Sequence, residues 1–242
     1  MSQSHELAKP ESASRPNAST ISRQQSGWQQ FGLAVALVVL AIATRSQLQF
    51  GDPLWNFTPM VAIALFAGAF FRQGWAFVIP LSAILISDCV IEIAYRLGYT
   101  ETWGFYIGSL YNYPAWILLV GLGVLLRRPY RWLSAKGKSG ALGFLGLAVA
   151  SGALGSVVFF LVSNFGAWIE FSLRFNSYEL SFAGLMNCYA AGLAFYRQNG
   201  TLYGDLLYSA VLFGTYLIAL QLISSWSLNR QELAWAQAEK NR

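Results

Sequence analysis

Apolar residues along this chain gather into six long runs, at roughly residues 28–44, 58–72, 75–95, 110–127, 140–164 and 203–225. A helix needs about 20 residues, with a range of roughly 17–25, to cross the hydrocarbon of a bilayer. Five runs have that length and the second is short. Pro59 suits the first turn of the second helix, where no amide donor is needed. Pro80, inside the third run, predicts a kink or a late start there. A more polar stretch, 182–196, is interrupted by Asn187 and Gly192 and reads as an interfacial or re-entrant helix packed on protein. The pattern predicts an all-α integral membrane bundle of about six spans, with that extra helix before the last.

The flanks are different. Residues 1–26 are rich in Ser, Gln, Asn and Pro without apolar period. Such a segment cannot bury enough surface to fold alone, so it is expected to be a disordered cytoplasmic tail. Residues 27–228 then form the six-span domain and 229–242 a cytoplasmic C-terminal tail. The first apolar core, Leu33 to Leu40, is followed by Ala41-x-Ala43, which resembles a signal-peptidase site. The polar segment before it is too long for a typical signal peptide, and the rest of the chain is equally membrane-like, so an uncleaved first span is expected.

Composition supports lipid as the solvent of the middle. Of 242 residues 55% are apolar and 11% charged, where a soluble domain carries about 25% charged; mean hydropathy is +0.44. The net charge of +5 is not spread as a nucleic-acid surface would need. Five of the sixteen basic residues, Arg127, Arg128, Arg131, Lys136 and Lys138, cluster between two apolar runs, as in a cytoplasmic loop. With both termini inside, twelve Lys and Arg fall on the inner side and four on the outer (Arg45, Arg96, Arg174 and Arg197). That bias predicts a multi-pass protein of the cell's inner (plasma) membrane with cytoplasmic termini.

Catalytic and cofactor chemistry finds little support. The one histidine, His5, lies in the polar tail, which excludes His-based triads, haem ligation and histidine metal sites. Cys89 and Cys188 make no CxxC pair and read as two buried free thiols. Gly137-Lys138-Ser139 resembles the end of a phosphate-binding loop, but the glycine needed five positions earlier is Trp132. HExxH, GxSxG and DDxxD patterns are absent. No catalytic residue, metal or cofactor is expected.

Polar residues bordering the spans carry the functional expectation. Asp88 and Glu92 share a face of the third helix, and carboxylates at membrane depth point by default to function or a specific partner. Arg96, four residues on, is placed to neutralise Glu92; Asp88 has no local cation in sequence. In the expected topology Asn56, Thr58, Asp88, Tyr111, Asn112, the Ser163-Asn164-Phe165-Gly166 segment and Asp205 all lie towards one outer mouth. Such a mouth suits a small-molecule pocket, with Asn56, Thr58, Asp88 and Asn164 lining it and Tyr111 and Trp168 as stacking walls. Small residues at helical spacing (Gly32 and Ala36; Ala64 and Gly68; Ala148, Gly152 and Ser156; Ser151 and Gly155) predict close backbone packing, either within the bundle or against another membrane subunit.

The block from Asn56 to Phe71 (NFTPMVAIALFAGAFF), Ser87-Asp88, Ser163 to Trp168 and the stretch from Cys188 to Gly214, which contains Gly204-Asp205-Leu-Leu-Tyr208, resemble an uncharacterised family of bacterial multi-pass membrane proteins. That family in turn is similar to the substrate-binding (S) components of energy-coupling factor vitamin transporters. The resemblance implies a six-helix subunit that captures a vitamin-like solute from outside, with a transmembrane coupling protein and a pair of ATPases as partners. The Ala-xxx-Ala docking pattern of the first helix in S components is Gly32-xxx-Ala36 here. The alternative is a non-catalytic accessory or scaffold subunit of a membrane complex.

Overall fold

The computed structural model describes residues 27–48, 57–105, 107–198 and 200–240, and these form eight α-helices and a 3₁₀ helix with no strand among them. In chain order they are α1 (Gly27–Leu48), α2 (Met60–Phe70), α3 (Gln73–Arg96), the 3₁₀ helix (Ile107–Tyr111), α4 (Asn112–Leu125), α5 (Arg127–Ser134), α6 (Gly137–Phe175), α7 (Phe182–Gln198) and α8 (Thr201–Lys240). The chain is an all-α bundle, as the apolar runs predict. Four helical stretches are long and apolar enough to cross a membrane: Gly74–Arg96, Gly108–Ser134, Gly137–Phe175 and Thr201–Gln237. Three shorter apolar helices accompany them: Gln29–Arg45, Met60–Phe70 and Phe182–Ala194.

The short second run becomes the centre of the molecule. At 11 residues α2 is about 17 Å long, roughly half the ~30 Å hydrocarbon thickness. Every residue from Met60 to Ala69 is buried. It packs against α3, α4, α6 and α8, while α1 lies on α3 and α7 on α6 and α8. Glycine makes the closest of these contacts: a side chain at Gly68 would strike the Val120 carbonyl of α4, and one at Gly123 would strike the Leu65 carbonyl of α2. In a lipid-soluble bundle, where apolar burial alone gives no preference for protein over lipid, such backbone approach holds helices together.

Several boundaries differ from those read in the sequence, each for a local reason. Pro59 occupies the cap position just before α2, its carbonyl accepting the Ile63 amide at 2.8 Å. Pro80 sits inside a continuous α3 that already starts at Gln73. The basic cluster is not a plain loop, since Leu126 keeps helical angles and carries α4 into α5, on which Arg127, Arg128 and Arg131 lie. The fifth span does not end near Gly166. Asn164 bonds back to the Phe160 carbonyl at 2.9 Å without breaking the helix, and α6 runs on until Asn176 takes the left-handed conformation (φ 51°). The chain from 229 to 240 continues α8. Cys188 is buried, but Cys89 is exposed on the surface of α3, because it follows Asp88 by one residue and so turns away from the bundle. The polar segment 1–26 lies outside the described residues.

Candidate functional site

One half of the bundle, around the ends of α1, α3 and α6 and the start of α8, holds the three ion pairs found among the described residues. Asp88 is 2% exposed. Arg45 of α1 donates from Nη1 to Asp88 Oδ1 at 2.5 Å and to Ser87 Oγ at 2.5 Å, and the Tyr113 hydroxyl donates to Asp88 Oδ2 at 3.5 Å. The cation missing from the local sequence therefore arrives from a neighbouring helix, and both carboxylate oxygens are engaged. Glu92 pairs with Arg96 at 2.8 Å, the contact their spacing predicts, and also accepts the Gly104 amide at 3.3 Å. Glu170 receives the Gly108 amide at 2.7 Å and Arg174 at 3.3 Å, which ties the start of the 3₁₀ helix to α6.

The other residues expected at a pocket form a separate group on α6. Asn164 turns its amide nitrogen to its own helix, its carbonyl receives the Cys188 thiol at 3.7 Å, and its Oδ1 abuts Gly192 of α7. Trp168 donates from Nε1 to the Glu179 carbonyl at 3.0 Å. Tyr111 lays its ring on Gly166, and both Tyr111 and Trp168 meet Phe165, with ring centroids 6.1 Å and 5.6 Å apart. Thr58 is half-buried just before α2. Asn56 lies outside the described residues. Tyr111 and Trp168 are thus brought together around Phe165, Asn164 packs instead against α7, and Asp88 belongs to the Arg45–Tyr113 set.

A third buried carboxylate, after Asp88 and Glu170, sits where α6, α7 and α8 meet. Asp205 is 3% exposed and lies beside Ser156, whose hydroxyl contacts the Tyr196 hydroxyl. Asp205 Oδ2, Ser209 Oγ and Thr201 Oγ1 have no hydrogen-bond partner. Thr201, Asp205 and Ser209 recur every four residues and so share one stripe of α8. Gly152 of α6 makes room for that stripe, since a side chain there would strike Ser209 Oγ. The sequence reading places Asp205 towards the outer mouth but not among the pocket residues; the four-residue polar period, with Gly152 and Ser156 beside it on α6, is the signal that finds it.

The opposite half is apolar and aromatic. Phe66, Phe70, Phe144, Phe213, Tyr130 and Tyr216 form a connected set of rings with centroids 4.4–6.1 Å apart. Arg127 reaches into it to donate to the Gly68 carbonyl at 2.7 Å and the Phe71 carbonyl at 2.8 Å, satisfying the C-terminal end of α2. Among the described residues no group of three or more His, Cys, Asp or Glu side chains is arranged to hold a metal ion.

Comparison with other proteins yields no matching curated protein and no matching solved structure. The model of the family described as "Family of unknown function (DUF6580)" matches residues 25–226, from the first apolar helix into the last, and the chain belongs to that family.

Proposed function

We propose that the protein is a small-solute binding subunit of an uptake transporter, without catalytic chemistry of its own, driven by a separate transmembrane coupling protein and ATPases. The observation that carries this reading is α2. The chain leading into it lies within the bundle, with Phe57 against Gly204 and with the Phe57 and Tyr208 rings 5.4 Å apart. A helix that stops part-way through a membrane is tolerated only where protein or a water-filled cavity surrounds its end, and half-length helices frame the solute sites of many transporters. The polar groups on the same side, Thr58, Asn164, Trp168 and Tyr111, supply directional contacts, while Asp88 acts through its pair with Arg45. The resemblance of the NFTP and GDLLY blocks to S-component-like proteins points the same way, with a vitamin-like solute entering from the outer face of the inner membrane. The lack of a nucleotide-hydrolysing motif agrees with drive from separate subunits.

The test is native mass spectrometry of the protein purified in mild detergent, read first for a retained small molecule and then for co-purifying ATPase subunits. The reading expects a retained solute, lost on the order of tenfold more readily from Asn164→Ala, about 1.4 kcal/mol, with an unchanged yield of folded protein. A solute-free protein that copurifies only with structural partners would overturn it in favour of an accessory subunit.

A further inference from the structure

Buried carboxylates in this bundle follow a rule with one exception. Asp88 and Glu170 each receive an arginine, and the half-exposed Glu92 does too. Among the described residues Asp205 has no ion-pair partner, although it is as buried as Asp88. Ser156 lies beside it, and its Oδ2 is bare. One turn along α8 the Ser209 hydroxyl, 0% exposed, is bare as well. Tyr196 meets Ser156 through their hydroxyls. An ionised carboxylate only accepts, so Asp205 Oδ2 and the Ser209 oxygen are both left as acceptors on one stripe of α8.

An unpaired carboxylate at such depth is costly, and an unpaired hydroxyl adds to the cost. The groups on hand define what would relieve it. They are all oxygens, which suit hard cations rather than soft ones. They carry one formal negative charge, which balances a single positive charge and leaves a divalent ion in excess. Ser209 Oγ packs directly against Gly152, between three packed helices, so the cation must be small.

We infer that Asp205, Ser209 and Ser156 form a binding site for a small monovalent cation at the junction of α6, α7 and α8. The shared chemistry is one compact positive charge with oxygen coordination, carried either by a sodium ion or by a primary ammonium group on the transported solute. The inference deepens the solute-binding reading by assigning the charge of what enters.

Thermal unfolding of the full-length protein in lipid nanodiscs tests it. Sodium chloride and, separately, methylammonium chloride replace tetraethylammonium chloride, too bulky for the site, at constant ionic strength. One of the two cations should raise the unfolding midpoint saturably, by about 3 °C or more, as expected when a ligand binds only the folded state. Asp205→Asn should abolish the rise, and Ser209→Ala should raise the half-saturating concentration about tenfold. A rise with sodium assigns the site to a metal ion; a rise with methylammonium alone assigns it to a solute's ammonium group. No rise with either, or an equal rise in wild type and Asp205→Asn, overturns the inference. Should Asp205→Asn fail to fold, Ser209→Ala decides, and an unchanged half-saturation overturns the site. Retained solute without a cation response sinks this site but not the transporter reading, whereas a cation response in a protein that retains no solute sinks the transporter reading alone.

Discussion

The two halves of the bundle solve the same problem in opposite ways. At the C-terminal end of α2, Arg127 closes the Gly68 and Phe71 carbonyls, and interlocked rings of Phe66, Phe70, Phe144, Phe213 and Tyr216 pack around it. In the other half, polar groups are plentiful and the accounting is incomplete, with Asp205, Ser209 and Thr201 each holding an unpartnered atom. Proteins satisfy nearly all buried polar atoms. A half that does so reads as scaffold, and a half that does not reads as a place where something else binds.

The largest effect that could break this contrast belongs to the scaffold. Gly123→Leu sets a side chain into the Leu65 carbonyl region, where the neighbouring Leu65 Cα is already 2.9 Å from an added Cβ. The expected outcome is loss of the folded species, seen as disappearance of the monodisperse peak in size-exclusion chromatography. Next comes Arg45→Ala, which strands the buried Asp88 charge and should cost about 3–5 kcal/mol. Adding Asp88→Asn should return much of it, so a double-mutant cycle on thermal stability that shows no recovery would refute the ion pair as the reason for Asp88. Arg127→Gln should cost about 2 kcal/mol, since bonds from a charged donor are worth roughly 1.5–3 kcal/mol. Because it removes the partners of the α2 carbonyls, hydrogen exchange should rise at the C-terminal turn of α2 before it rises in α3. The smallest effect has the reverse sign. Ser209→Ala deletes an unpartnered hydroxyl and should leave the cation-free protein unchanged or stabilise it by up to about 1 kcal/mol. A clear loss of stability in cation-free buffer would mean that the polar half is as fully satisfied as the aromatic one.

Much of the helical plan is legible in the chain because apolar runs and the absence of strand patterns leave few alternatives. The short run at α2 is visible as short, yet its central position is not, since burial on all sides depends on α3, α4, α6 and α8 arriving from distant sequence. The end of α6 is misplaced by ending the helix with the apolar run at 164; a helix packed on neighbours continues past it, and the left-handed Asn176 ends it. Among candidate site residues the i, i+4 spacing of Glu92 and Arg96 is enough to predict their pair. The Arg45–Asp88 pair spans 43 positions, and local sequence holds no trace of such a meeting. Asp205 is hidden for another reason. Its neighbours are serines and glycines on α6, residue types that the small-residue pattern assigns to packing.

The placement of α2 also bears on how the protein is made. An 11-residue helix is too short for the insertion machinery to hold across a bilayer as a unit of its own. Its rings Phe66 and Phe70 find their partners Phe213 and Tyr216 on α8, the helix that comes last among those described. Until α8 is in the membrane, α2 has an open flank and the core cannot close. Biogenesis of this bundle therefore has an obligatory late step, in which the last described helix locks in a segment synthesised some 140 residues earlier, and a ribosome-stalled chain lacking α8 should be a substrate for membrane quality control.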